Sequence, residues 1–241
     1  MSQAVTELDE LIAMMFQAHP WHGVPARRPS GELQAFIELV PTDAVKYELD
    51  KPSGHLRLDR PQRYSSFCPT LYGFIPRTYC GRRVGARSSE RSGEGSLQGD
   101  HDPLDICVLT EKTVVHGNFL ASVRAIGGFR MIDGSEADDK IIAVLHDDIA
   151  YGKIENIGDC PPALLDRVKH YFLTYKQGPG ASQPVVRIAE VYDRTEAEDV
   201  IRLSMEDYRE EFGAPEKRIR RLAYAINASE PPPSRINPGK T

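Results

Sequence analysis

The spacing of apolar and polar positions changes several times along this chain, and each change predicts a different kind of element. From residue 33 to residue 60, in LQAFIELVPTDAVKYELDKPSGHLRLDR, apolar and polar residues alternate with period two. DKPSG supplies a hairpin turn, so at least three strands are expected there. ICVLTEKTVV, NFLASVRAIGGFRMI, KIIAVL and QPVVRIAEVY predict further strands. Helical spacing is found in three places. Leu8, Leu11, Ile12, Met15 and Phe16, with Thr6 as N-cap and Pro20 as stop, predict a short docking helix. Leu164, Leu165, Val168, Phe172 and Tyr175 form a stripe between Pro161 and Lys176, and a helical pattern runs from Glu196 to Asn227 around a break at GAP. CGRRVGARSSERSGEGSLQG, residues 80–99, has no hydrophobic period and reads as a long mobile loop, and SEPPPSRINPGKT as a disordered tail. The expectation is a mainly β fold, a β-barrel flanked by helices.

Length and charge narrow the class. The 241 residues suit one large domain, divided here as a helical extension over 1–32, a single domain over 33–228 with the 81–99 loop inserted, and a Pro-rich tail over 229–241. A net charge of -5 argues against a nucleic-acid partner, so an anionic substrate must be met by a local basic patch or by metal. The first residues lack a secretory pattern and no run of about 18 apolar residues occurs, so no membrane partner and a cytoplasmic location are expected. Cys68, Cys80, Cys107 and Cys160 form no CxxC pair and are expected as reduced thiols. Trp21, flanked by His19 and His22, is expected as a surface anchor for its segment rather than part of a metal site.

The candidate chemistry centres on GDHDPLDICVL, which crowds Asp100, Asp102 and Asp105 into six residues. Two like charges about 4 Å apart repel by roughly 4 kcal/mol at an effective dielectric near 20 and by about 1 kcal/mol in water. The cluster is therefore either splayed into solvent as an acidic turn or held by a cation. Pro103 keeps Asp102 extended, so Asp100 and Asp102 point to the same side, and a turn through Leu104 brings Asp105 back. Such a cradle of hard oxygens suits Mg²⁺, Mn²⁺ or Ca²⁺. A calcium loop of the EF-hand type fails, because Leu104 takes its fifth position and Asp105 the place of its glycine. Other charges follow the same logic. Lys46 and Glu48 share one strand face, Arg60 ends a strand, and IDGSEADDKII delivers Asp133, Asp138 and Lys140. Each set alone is a solvated strand face, but together they describe carboxylates for several cations beside Lys and Arg for phosphate oxygens.

DHDPLDI resembles the signature of the soluble family I inorganic pyrophosphatases. IELVPTDAVKYELDKPSGHLRLDR, PTLYGFIPRTY, DGSEADDKIIAVL and HYFLTYK resemble family segments in the same order, over residues 36–176. The resemblance implies an OB-like five-stranded barrel with additional strands and helices packed outside, and Mg²⁺-dependent hydrolysis of pyrophosphate to two phosphates, with several ions per site and Mn²⁺ as a substitute. It implies that Asp100, Asp105 and Asp138 hold the principal metal, with Asp105 sharing a second ion. Asp133 and Asp138 would take a substrate-borne ion, Glu48 would help hold another, and Glu38 stands close by. Asp102 is implied as general base and Tyr72 as a residue lining the site. Lys46, Arg60, Lys140, Tyr175 and Lys176 match phosphate-binding positions; on their residues alone, Tyr175 and Lys176 read as structural. A homo-oligomer is implied, either hexamer or dimer. Two metals sharing one water lower its pKa and place hydroxide in line with phosphorus, which is the chemical reason for so many carboxylates.

This chain departs from the pattern at His101 within the signature, at Cys68 in place of a frequent tyrosine, and at Gly134 in place of a frequent glutamate. The 81–99 segment is longer than in short bacterial members, and its Arg82, Arg83, Arg87 and Arg91 suggest a basic flap near the site or a subunit contact. The alternative functions are a hydrolase of larger polyphosphates or nucleotides and a catalytically silent metal-binding scaffold.

Overall fold

The computed structural model describes residues 17–177 and 186–213. The expected N-terminal helix, the tail and the stretch beyond Gly213 lie outside them. In chain order the elements are β1 Leu33–Leu39, β2 Val45–Leu49, β3 Leu56–Pro61, β4 Leu71–Phe74, α1 Arg82–Ser92, β5 Gln98–Gly99, β6 Asp105–Leu109, β7 Phe119–Asp133, β8 Glu136–Ala137, β9 Lys140–Leu145, α2 Pro162–Thr174, β10 Val186–Asp193 and α3 Arg194–Phe212.

Five strands close a ring. β1 pairs with β4, β4 with β6, β6 in parallel with β9, β9 with β7, and β7 returns to β1. Closure removes the free edges that an open sheet would present. Alternation divides the buried side chains between two clusters. Ile106, Val108, Ile141 and Ala143 join Ala197, Val200 and Ile201 of α3. Cys107, Leu109, Ile142 and Val144 join Leu165, Val168 and Phe172 of α2. Both faces of β6 and β9 are thus covered, which is why their sequences read as continuous apolar runs. The β2–β3 hairpin stands apart as a two-stranded sheet turned through DKPSG.

β7 is long enough to serve two neighbours, pairing with β1 at its start and with β10 toward its end. It changes direction at Gly127, where the register with β9 shifts and φ is +159°. A Cβ on the next residue, Gly128, would stand 2.3 Å from the Tyr192 ring, so the close approach of β10 requires glycine there.

Two expectations are corrected. The strand read through ICVLTEKTVV ends at Leu109, because the Asp148 carboxylate draws Thr110 Oγ1 (2.7 Å) and the Glu111 amide (2.8 Å) into a turn. The segment read as a long loop, 81–99, contains the eleven-residue α1 and the short β5. Its buried face is Val84, Gly85 and Ser88, too small to register as a hydrophobic stripe. What holds α1 comes from elsewhere in the chain. Asp207 of α3 accepts from the amides of Gly81 (3.1 Å), Arg83 (2.9 Å) and Val84 (3.2 Å), supplying the N-terminal cap that the local sequence lacks. Gly93, at φ +69°, closes the other end.

Trp21 is buried rather than on the surface, donating from Nε1 to the Thr78 carbonyl (2.8 Å) and packing edge-on against Phe212. His22 Nδ1 meets Tyr208 Oη at 2.8 Å. The segment before the barrel is therefore anchored to the last turns of α3. All four cysteines are buried and unpaired.

Candidate active site

One end of the barrel opens into a cleft of about 360 Å³. Its walls come from β1, the β2–β3 hairpin, β4, the Asp100–Asp105 turn, the β7–β8–β9 edge and the C-terminal end of α2. Thirteen residues were expected at the site: Glu38, Lys46, Glu48, Arg60, Tyr72, Asp100, Asp102, Asp105, Asp133, Asp138, Lys140, Tyr175 and Lys176. All thirteen line this cleft.

Local geometry explains how each arrives. In β2 the period-two alternation turns Lys46 and Glu48 together, and their side chains form an ion pair. Glu38, at the end of β1, accepts from the Leu49 amide at 2.7 Å, which ties the hairpin to the barrel. Gly99 ends β5 so close to the Cys80 carbonyl that a Cβ would stand 2.0 Å away, and the chain then turns into the aspartates. The Asp102 amide donates to Asp100 Oδ1 (3.0 Å), an Asx turn that His101 completes in the left-handed conformation at φ +64°. The His101 ring is exposed and meets Tyr79 Oη at 2.6 Å, outside the cleft lining. Asp105 then begins β6 in register with Lys140 of β9 and accepts from Tyr72 Oη at 2.6 Å. Tyr175, just past α2, stacks on Tyr171 with ring centroids 5.2 Å apart while still lining the cleft, so the helical stripe and the site share it.

The electrostatics are unbalanced toward negative charge, with eight carboxylates and five basic side chains around the cleft. Burial, reinforced by Asp138 and Asp105, pushes the Asp100 carboxyl up to about 8. Burial alone accounts for most of the rise of Glu38 to about 8, against the Leu49 amide that lowers it. Asp138 is also raised, by burial first, with Lys140 opposing. Burial pulls the Lys140 ammonium down, yet Asp105 and Asp138 outweigh it and hold its pKa well above the usual lysine value. Burial and the neighbouring Asp105 together keep the Tyr72 phenol protonated far beyond its normal range.

Lys140 pairs with both Asp105 and Asp138, Lys51 with Asp102, and Lys176 with Asp133. Among the described residues the carboxylates close on these ammonium groups, and no three acidic, His or Cys side chains converge on one point as a ready ligand set. The donor set still fits hard divalent cations. It is all carboxylate oxygen, it is in excess over the basic groups, and the carboxyls of Asp100 and Glu38 are raised to about 8, a shift that a bound cation would oppose.

Lys51 and Glu136 also line the cleft and were not singled out from sequence. Glu136 carried a signal, since it stands two before Asp138 on an extended segment. Lys51 carried none, because it belongs to the hairpin turn and reaches Asp102 only through the fold. The departures fall outside the cleft lining: Cys68 is buried beside Thr70, and Gly134 makes the β7–β8 turn at φ +61°. The expected basic flap is corrected as well. Arg82, Arg83, Arg87 and Arg91 are absent from the lining, and the last three turn to acids of α3 and β10.

A family model described as inorganic pyrophosphatase matches residues 35–209. The inorganic pyrophosphatase of Chlamydia trachomatis serovar D is 53% identical over 196 residues, covering 79% of this chain and 94% of that protein. The soluble inorganic pyrophosphatase of Zea mays is 35% identical, covering 83% of this chain and 84% of that one. Among solved structures, the inorganic pyrophosphatase of Thermus thermophilus superposes with a TM-score of 0.65 at 28% identity, over 80% of this chain and 99% of its own. The five-stranded ring, the acidic cleft and these matches agree: this chain belongs to the inorganic pyrophosphatase family.

Proposed function

We propose that the cleft hydrolyses inorganic pyrophosphate to two phosphates. The observation that carries this reading is the meeting of eight carboxylates and five basic side chains in one cleft, from segments spread between Glu38 and Lys176. Mg²⁺ ions, with Mn²⁺ as a substitute, would be held by Asp100, Asp105, Asp138, Asp133, Glu48 and Glu38, and would supply an acidified water and neutralise phosphate oxygens. Asp102 accepts the proton of the attacking water, whose oxygen forms the new bond to phosphorus as the bridging P–O bond breaks. Lys46, Arg60, Lys140, Tyr175 and Lys176 hold the phosphate oxygens and take up charge on the departing phosphate. Tyr72, protonated and donating to Asp105, orients that carboxylate toward the cleft.

Residues 33–228 act as one domain in a cytoplasmic homo-oligomer; the closed barrel supports the single domain, and membership of the family supports the assembly.

The test is phosphate release from pyrophosphate, tripolyphosphate and ATP with Mg²⁺, comparing the natural chain with Asp102→Asn. Pyrophosphate is the expected preferred substrate, and Asp102→Asn is expected to lower kcat by about a hundredfold or more. Preference for ATP points to the wider hydrolase, and no turnover at all to the silent scaffold.

A further inference from the structure

Behind the Asp138–Lys140 edge lies a network of charges, buried at Arg130, Asp139 and Glu196 and reaching the surface at Arg91, that the hydrolysis scheme does not use. Extended backbone turns Asp138 and Lys140 to the cleft and Asp139 to the interior. There Asp139 Oδ2 accepts from Tyr192 Oη at 3.1 Å and stands 3.8 Å from Arg130 Nη2. Arg130, on β7, is wholly buried, with its guanidinium 4.9 Å from the centre of the Tyr192 ring. It donates to Glu190 of β10 (2.6 Å) and Glu196 of α3 (2.5 Å). Both acids are taken up on their other side by α1: Arg87 donates twice to Glu196 (3.1 and 2.6 Å), and Arg91 to Glu190 at 2.6 Å. Three cations thus face three anions across four elements.

Such a network is a poor way to gain stability, since well-packed apolar residues commonly serve as well or better than buried ion pairs. It also leaves Asp139 Oδ1 and Arg130 Nε without hydrogen-bond partners. What it does provide is orientation: the guanidinium fork fixes the direction of Glu190 and Glu196, to which it donates, while Asp139 takes its hydrogen bond from Tyr192, whose ring lies against the same guanidinium. The same helix α1 leads through β5 directly into Asp100, and β5 pairs in parallel with β8, Gly99 opposite Ala137. Both acidic segments of the cleft therefore rest on this one support.

We propose that Arg130 is a positioning residue for cation binding: by its charge 3.8 Å away and by packing on Tyr192, which hydrogen-bonds Asp139, it steadies the backbone that presents Asp138 and Lys140, and through Glu196 and Arg87 it couples that edge to α1 and Asp100. The inference rests on the reading of Asp100 and Asp138 as cation ligands.

Charge sign separates this role from simple electrostatics. Arg130→Met and Arg87→Gln each remove a positive charge near the cleft, which through space alone would tighten binding of a divalent cation. Lost positioning weakens it instead. In the full chain, Mn²⁺ binding followed by calorimetry and electron paramagnetic resonance is expected to weaken about tenfold in Arg130→Met and in the same direction, by less, in Arg87→Gln. The Mg²⁺ concentration for half-maximal activity should rise in parallel, with kcat at saturating Mg²⁺ nearly unchanged. Unaltered or tighter Mn²⁺ binding in the folded variants, whatever happens to Tm, overturns the proposal. Should Arg130→Met not fold, Arg87→Gln decides alone, since its side chain is partly exposed and its removal leaves the Arg130 pairs in place. Natural protein that binds Mn²⁺ but does not turn over pyrophosphate sinks the assigned activity and leaves the positioning test intact. Natural protein that binds no Mn²⁺ sinks the positioning role together with the ligand assignment.

Discussion

Asp100 and Glu38 put a cost into the fold that cations would relieve. Each carboxyl releases its proton near pH 4 in the unfolded chain and only at about 8 when folded. Between those values the folded state holds more protons than the unfolded one, so stability falls as pH rises through that window. With EDTA present, Tm is therefore expected to drop between about pH 6 and pH 8. Excess Mg²⁺ competes with the protons and is expected to raise Tm more at pH 8 than at pH 6; scanning calorimetry at both values, with and without the ion, checks this. A Tm that rises with pH in EDTA would contradict the burial of these groups. At the same scale, His101 shows why a departure from a family signature need not touch the chemistry. The Asx turn needs one residue in the left-handed region between two cleft aspartates, and His101 provides that backbone while its ring leaves for Tyr79.

At the level of elements, α1 marks where pattern reading fails and what replaces it. A helix whose buried face is Val84, Gly85 and Ser88 has no hydrophobic period to detect. Its arginines, spaced four apart at 83, 87 and 91, lie along one side and meet acids from α3 and β10. The cap from Asp207 ties α1 to α3 through a carboxylate that is nearly inaccessible and serves three amides and a guanidinium. Asp207→Ala is expected to destabilise the protein by about 2 kcal/mol, combining a lost cap with the loss of the buried partner of Arg83, which keeps Glu206 and Glu210. Chemical denaturation measures the loss, and Asp207→Asn, which keeps an acceptor, should recover part of it. Loss of α1 register would also be felt at Asp100, because only a five-residue turn and β5 separate them.

For the molecule as a whole, a third hydrophobic cluster around Trp21 joins distant parts of the chain beside the barrel. Trp21 fills the space between the Thr78 carbonyl, His22 and Phe212, and His19 Nε2 reaches the Lys51 carbonyl at 2.9 Å on the hairpin that flanks the cleft. Trp21→Ala is expected to cost about 3–5 kcal/mol, as for other large buried aromatics. Because Trp21 is not in the cleft lining, kcat of the folded protein should hold while the denaturation midpoint falls. A large loss of kcat with the midpoint unchanged would instead tie this anchor to catalysis.

Much of the site was legible because its residues obey short-range rules. Period-two alternation places Lys46 beside Glu48 and Asp138 beside Lys140, and a proline restricts the backbone at Asp102, so these relations hold in any fold that keeps the segments extended. The barrel strands were legible for the same reason, their apolar runs being long and bounded by turns. The resemblance of several segments in order then brought the separate sets into one site. Lys51 on Asp102, Asp207 on α1, the Arg130 network and the burial of Trp21 were not legible. Each joins positions from about 50 to more than 120 residues apart, apart from the Arg130–Asp139 contact, or depends on a turn that re-aims a side chain. The sequence by itself determined which chemistry each strand could present; only the tertiary structure decided which charges are buried and with what partners. Burial and pairing arise when remote segments exclude water from one another, and no local pattern of residues records that event.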